Sequence, residues 1–396
     1  MPALPTSIRD LSLSGKTLFL RVDFNVPIKD GVVKDDTRVV EALPTIRLAR
    51  EKGAKVLLAS HLGKAKGAPD PKYSLAPVAR TLEKHLGAPV AFAADCVGPT
   101  AEAAVRALAP GGVLLLENTR FHAGEEKNDP EFARQLASLA GVYVNDAFGT
   151  AHRAHASTAG MATHFPKGAR GVGLLMEKEL KALSRVVDSI DRPFAAILGG
   201  AKILGKIAAL EALVERADLV LVGGGMANHF VKALGLETGT SLLEPDGVPI
   251  ARKVIDRCRE RGVSLVLPSD FAVAPSIEKA GEARTVAMNA IPAGFSALDI
   301  GPKTLEMFRR MTKEARTIFW NGPMGVFETK PFDAGTLGVA RLLAESAGFT
   351  VVGGGESVEA VHTAGVADKI SHVSTGGGAS LDLVSGAKLP GIEALR

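Results

Sequence analysis

Two groups of polar residues, each placed where a run of Val, Ile and Leu gives out, carry the chemistry open to this chain. The first is cationic and polar: Arg21, Asp23 and Asn25; Ser60, His61, Gly63 and Lys64; Glu117 and Arg120; Asn145 and Asp146, with His152, Arg153 and His155 close behind. Arginine and histidine make charge-assisted, often bidentate bonds to phosphate and carboxylate oxygens, so this group suits a small, strongly anionic ligand. The second group is glycine-rich: Gly199-Gly200-Ala201-Lys202, Gly223-Gly224-Gly225, Trp320-Asn321-Gly322-Pro323, Gly353-Gly354-Gly355-Glu356 and Gly376-Gly377-Gly378. A residue without a side chain lets backbone N–H groups and helix N-termini approach phosphate oxygens closely, which suits a nucleotide.

Each feature also has a plainer reading. A lone Gly-Gly after a strand is ordinarily a tight turn, and it is the recurrence at strand ends in one half of the chain that favours a phosphate cradle. Arg120 and Arg153, taken singly, fit surface ion pairs equally well. His61 and His155 fit satisfied structural histidines, and His152 carries no assignment. Asp146 could equally cap the following segment. Lys202 would be a solvated lysine anywhere else, but directly after Gly-Gly-Ala at a strand end it resembles a phosphate-reaching cation. Gly15-Lys16-Thr17 mimics the tail of a P-loop without the earlier glycine, since Asp10 stands there. Gly171 and Gly173 lack the third glycine of a dinucleotide fingerprint, which weakens a dehydrogenase.

Positioning these groups takes short apolar strands alternating with longer amphipathic segments, the pattern of repeated βαβ units. Strands are expected near 17–22, 55–59, 113–117 and 142–145, and again near 194–198, 219–222, 264–267, 316–320, 350–352 and 371–374. Between the sets, apolar residues at 174, 175, 180, 183, 186, 187 and 190 follow a helical period, closed by Arg192-Pro193. The fold class is therefore α/β, two Rossmann-like lobes, each a parallel sheet flanked by helices, joined by a connecting helix. The chain's 396 residues exceed what one core holds, about 250–300 residues. The expected division is 1–172, a connecting helix and hinge over 173–191, a second lobe over 192–380, and a terminal segment 381–396 returning to the first lobe. Ligands in such sheets bind beyond the carboxyl ends of the strands, where nearly all of the polar groups fall.

Composition narrows the class further. With 46% hydrophobic and 23% charged residues the profile is globular, and no apolar run is long enough to span a membrane. The net charge of +4 is spread among alternating acids and bases, which argues against nucleic acid. Cys96 and Cys258 show no ligand spacing and are expected to stay reduced in a cytoplasmic protein.

The strings RVDFNVP, SHLGKAKG, ENTRF, NDAFGTAHRAHAS, ILGGAK, VGGGMA, LDIGP, FWNGPMGVFE, VVGGGES and STGGGASL, in this order, resemble the landmarks of the phosphoglycerate kinase family. The resemblance implies a hinge-bending, monomeric kinase that uses ATP/ADP with Mg²⁺ and interconverts 3-phosphoglycerate and 1,3-bisphosphoglycerate. It implies triose contacts from Asp23, Phe24, Asn25, Arg38, His61, Leu62, Gly63, Lys64, Arg120 and Arg153. Nucleotide contacts are implied for Gly200, Ala201, Lys202, Lys206, Gly223, Gly224, Leu298, Asn321, Pro323, Glu328, Gly353, Gly354, Gly355, Glu356 and Ser357, with Glu328 at the ribose and Glu356 at the metal. Arg38, Lys202, Lys206, Gly354 and Gly377 would surround the transferred phosphoryl group.

Three positions depart from the family pattern. Lys64 and Ala65 replace an Arg-Pro pair, Gly205 replaces an Asp, and Glu356 replaces an Asp, keeping the carboxylate on a longer stem. A carboxylate acceptor is already ionised at neutral pH, so the absence of an acid–base dyad is no objection. The alternatives are another nucleotide-dependent α/β enzyme, or a non-enzymatic binding protein on a kinase-like fold.

Overall fold

The computed structural model describes residues 4–396. They form two compact units, one running to Lys181 and taking in Lys388–Arg396, the other spanning Ala182–Ala387.

The first unit contains β1 (Thr17–Arg21), a small hairpin of β2 (Ile28–Lys29) and β3 (Val32–Val33), α1 (Thr37–Glu51), β4 (Lys55–Ala59), α2 (Ala76–Leu86), β5 (Val90–Ala93), α3 (Gly98–Ala107), β6 (Val113–Leu116), α4 (Pro130–Ala137), β7 (Val142–Asn145) and β8 (Arg170–Val172). The main sheet runs β5-β6-β4-β1-β7-β8, with every pairing parallel. Its central strands read as continuous apolar runs because both faces are covered, which is what a parallel sheet requires. Leu18, Leu20, Val56, Leu58, Leu115 and Val144 pack with Val39, Leu43 and Ile46 of α1 and with Val78 and Leu82 of α2 in one core.

The helix α5 (Leu174–Val187) follows β8. Asp146, beyond β7, accepts from Met176 N at 3.0 Å and so supplies the acceptor that the first turn lacks. Burial pushes its carboxyl up to about 6. A side chain on Gly173 would collide with this carboxylate, so glycine is required there. The units part inside α5, between Lys181 and Ala182, and the segment assigned to the first unit begins at Lys388.

The second unit holds β9 (Phe194–Leu198), α6 (Ile207–Val214), β10 (Leu219–Val222), α7 (Ala227–Ala233), α8 (Gly247–Arg261), β11 (Ser264–Val266), β12 (Asp270–Ala274), β13 (Arg284–Ala287), β14 (Ser296–Ile300), α9 (Pro302–Thr312), β15 (Thr317–Asn321), α10 (Ala334–Glu345), β16 (Phe349–Gly353), α11 (Gly355–Thr363), β17 (His372–Val373) and α12 (Gly378–Val384). A last helix, α13 (Pro390–Glu393), belongs to the first unit, where Gly391 N donates to Ala151 O at 2.9 Å. The second parallel sheet runs β11-β10-β9-β15-β16-β17. Trp320, Ile197, Leu221 and Val352 centre its core.

The expected strands all form, and the sequence reading omitted others. β5 and β8 are short and only partly buried or interrupted by Gly171, and β12, β13 and β14 make a separate antiparallel sheet from strands of mixed polarity. The connecting helix ends at Val187 rather than 190.

Candidate functional site

In the first unit the carboxyl ends of β1, β4 and β6 gather charge. Arg21 is fully buried at the end of β1; its Nε donates to Ser157 Oγ at 2.8 Å, Nη1 donates to Val22 O, and Nη2 lies 3.2 Å from His61 Nδ1. Burial first, then Arg21, Arg120 and Arg38, hold the His61 imidazole well below its usual pKa, so it is neutral at pH 7. With an arginine donor facing Nδ1, the proton of the neutral ring belongs on Nε2.

Asp23, just past β1, accepts from Arg38 Nη1 at 2.6 Å and from the Asn25 backbone at 3.2 Å. Asn25 Oδ1 in turn accepts from Gly63 N at 2.9 Å, and Gly63 O accepts from Arg120 Nη1 at 2.7 Å. This chain of bonds draws Arg38 of α1 to the strand ends. Gly63 has φ +60°, and a Cβ there would strike the Tyr73 ring.

Arg120 decides what the site can hold. Its side chain is 5% exposed, and although Glu126 pairs with it at 3.2 Å, Nε and Nη2 have no hydrogen-bond acceptor. Burial lowers its pKa, and the Arg153 and Arg21 charges add to that. The same three arginines, after burial, push His155 down to about 4. Several cationic groups thus converge with unfilled N–H donors, an arrangement that an anion stabilises.

The remaining expected triose contacts sort differently. Phe24 is a core ring and offers only its backbone N–H, which donates to Ser60 Oγ at 2.8 Å. Leu62 is buried, its N–H held by Asn118 Oδ1 at 3.2 Å. Lys64 and Arg153 are exposed, Arg153 Nε donating to His152 Nε2 at 3.1 Å. Sequence reasoning did not assign Arg21, Asn118, Ser157 or Glu125, whose Oε1 accepts from Ser157 Oγ at 2.5 Å. Position at or next to a strand end marked Arg21 and Asn118, whereas Ser157 and Glu125 lie well beyond β7 and β6 and carried no such signal.

In the second unit the strand order reverses between β9 and β15, the crevice where open sheets take ligands. The loops beyond these strands interlock through backbone. Gly199 N donates to Asn321 O at 3.0 Å, Gly200 N to Pro323 O at 2.8 Å, and Gly224 N to Met324 O at 3.0 Å. Gly224 has φ +64°, and a Cβ on it would lie 2.7 Å from both Gly200 N and Pro323 O. Lys206 Nζ spends its donors on the same joint, giving to Gly199 O at 2.8 Å, Asn321 O at 3.2 Å and Asn321 Oδ1 at 2.7 Å. Burial lowers its pKa to about 8, against the pull of Glu356. Ser357 Oγ accepts from Gly322 N at 2.6 Å.

Beside this joint lies a cavity of about 700 Å³, lined among others by Gly200, Ala201, Leu298, Pro323, Glu328 and Glu356. Gly223 and Asn321 do not line it and belong to its supporting backbone. Glu356 stands exposed on the first turn of α11, and Gly353 and Gly354 lead into that helix. Gly355 and Gly377 face open space, the latter capping α12 with φ +52°. Lys202 is exposed. Asp299, next to Leu298 in β14, is buried; it accepts from Gly335 N at 2.7 Å and Ile300 N at 2.8 Å.

Comparison with known proteins returns one family over most of the chain. The family model for phosphoglycerate kinase matches residues 8–387. A phosphoglycerate kinase of Pelotomaculum thermopropionicum is 52% identical over 389 residues, covering 98% of each chain. One of Desulforudis audaxviator is 53% identical over 394 residues and 99% of each. The solved phosphoglycerate kinase of Coxiella burnetii superposes with a TM-score of 0.90 at 39% identity, covering 99% of this chain and 98% of its own. That of Pyrococcus horikoshii gives 0.85 at 36%, covering 98% of each.

Proposed function

The chain belongs to the phosphoglycerate kinase family and is a phosphotransferase acting between ATP and 3-phosphoglycerate; from that premise we propose that the first unit holds the triose acid by cationic side chains and the second holds the nucleotide by glycine-bared backbone. The observation that carries the reading is Arg120, buried with two N–H donors unfilled among Arg38, Arg153 and His61. Supporting the second half is the cavity lined by Gly200, Ala201, Leu298, Pro323 and Glu328.

Phosphoryl transfer asks the protein chiefly to position the reactants and to stabilise charge on the equatorial oxygens. Arg38, already aimed by Asp23, neutralises charge on the acceptor side. Lys202, exposed beside the cavity, follows the migrating phosphoryl group, while the N–H groups of Gly354, Gly355 and Gly377 donate to its oxygens. Lys206 supports the joint from which these loops spring and, lowered to about 8 by burial, keeps its proton at neutral pH. The acceptor carboxylate needs no base.

Glu356 fits a magnesium ion, since it offers a hard carboxylate oxygen on the cavity wall and Mg²⁺ is ordinarily held by one or two carboxylates plus substrate phosphates. When bound, the ion would neutralise the nucleotide phosphates. The 173–191 segment serves as the hinge for bringing the two substrates together, and closure excludes water from the acyl phosphate. Small-angle scattering with identical dimensions for the free enzyme and the ternary complex would argue against that role.

No helix of the described residues is long and apolar enough to cross a membrane. We take the protein to act in the cytoplasm as a monomer on small molecules, without nucleic acid. A coupled assay with 3-phosphoglycerate and Mg-ATP tests the whole reading: turnover dependent on both substrates is expected, and nucleotide-independent activity, or none, would overturn it.

A further inference from the structure

Beyond the carboxyl ends of β5 and β6, at the edge of the first sheet, three side chains of different chemistry meet. His122 Nε2 lies 2.7 Å from Asp95 Oδ1, and these atoms and Cys96 Sγ all fall within 4.8 Å of one another. None of the three has a part in the transfer described above.

We propose that Asp95, Cys96 and His122 form a site for a borderline transition-metal dication, with zinc as the fitting choice. Thiolate, imidazole and carboxylate are the donors that zinc takes, and three protein ligands leave a fourth position for water. Bond lengths of about 2.3 Å to sulfur and 2.0 Å to nitrogen or oxygen place tetrahedral ligand atoms roughly 3.3–3.5 Å apart. The His–Asp separation of 2.7 Å lies just below that range and all three atoms fall within 4.8 Å of one another, so small side-chain shifts bring them to it. A carboxylate and a thiolate balance the charge of a dication.

The surroundings suit entry and capture. The side chains of His122 and Asp95 are 32% and 44% exposed, so solvent reaches the open face, while Cys96 is fully buried beneath. The His122 ring is held against Phe132, centroids 5.0 Å apart and planes 22° from parallel. Burial, Asp95, Glu125 and Glu117 raise the Cys96 thiol well above its usual pKa, which makes it a poor free nucleophile. The negative groups that raise it attract a cation instead. A bound ion would tie the loop after β5 to the turn that also carries Arg120.

Titration of the reduced full-length protein with cobalt(II), in saturating Mg²⁺ to fill hard-oxygen sites, tests this through a thiolate-to-cobalt charge-transfer band. One ion per chain is expected, displaced by zinc, with the band lost in Cys96→Ser and retained in Cys258→Ser. Asp95→Asn and His122→Gln, at partly exposed positions, are expected to weaken binding by ~10–100-fold or more, the loss seen even for outer-sphere partners of a metal. Absence of the band in the parent protein, or a band unaffected by His122→Gln and Cys96→Ser, would overturn the proposal.

Discussion

At the ends of β1 and β6 the chain commits charged side chains to its interior, with Arg21 fully buried and Arg120 nearly so. At the ends of β9, β10 and β15 it commits backbone, packing Gly199, Gly224 and Gly322 so closely that side chains would strike neighbouring main chain or Lys206. The two arrangements differ in cost. A buried guanidinium stays expensive until an oxygen fills it, so the first site gains most when occupied. Interlocked amides are satisfied by one another, and the loop frame stands ready before any phosphate arrives. On the proposed reading, one unit recognises by charge, the other by shape.

The largest effect that sharpens this contrast is on turnover. Lys202→Ala should lower kcat by ~10²–10³, the cost of one lost transition-state donor, while the KM for ATP stays nearly constant. Steady-state kinetics showing weakened ATP binding at unchanged kcat would move Lys202 to the ground state.

A smaller effect separates two kinds of glycine. Gly224→Ala forces a Cβ against Gly200 N and Pro323 O at positive φ and should cost ~1–3 kcal/mol, whereas Gly355→Ala meets nothing within 4 Å and should stay within about 0.5 kcal/mol. Urea unfolding followed by the fluorescence of Trp320, the single tryptophan and a core residue of the second unit, reads this directly. Equal losses would mean that the close-packed frame is not what those glycines serve.

A third effect is a pH slope. Burial pushes Asp299 up to about 8, above the ~4 of an unfolded chain, so between these values the folded state holds an extra proton. Stability is then lost as pH rises through that window, by at most about 1.4 kcal/mol per pH unit, and levels off above it. The Trp320 unfolding midpoint should show this slope and Asp299→Asn should remove it; an unchanged slope would exclude the residue as its source. His155, depressed to about 4, works the other way, its contribution being lost as pH falls below ~6.5 toward 4.

Much of this was readable in the residues. Uniform runs such as 55–59 and 194–198 mark buried parallel strands, and the polar groups after them mark the ligand edge. Reading failed where burial alone decides. Arg21 and Arg120 look alike in sequence, yet one is spent on Ser157, Val22 and His61 and the other keeps unfilled donors. Gly224 and Gly355 are equally anonymous, one enclosed and one open. Lys206 resembles a phosphate ligand, and only coordinates reveal its bonds to Gly199 and Asn321. Strands 270–274, 284–287 and 296–300 are short and of mixed polarity, so neither period stands out.

The most direct test of recognition by charge in one unit and by backbone in the other is calorimetric titration of the parent protein and Arg120→Ala with 3-phosphoglycerate and, separately, with ADP. The variant should lose about 1.5–3 kcal/mol of triose-acid binding, tenfold or more in Kd, with ADP binding unchanged. Equal weakening of both ligands, or undiminished binding of 3-phosphoglycerate, would contradict it.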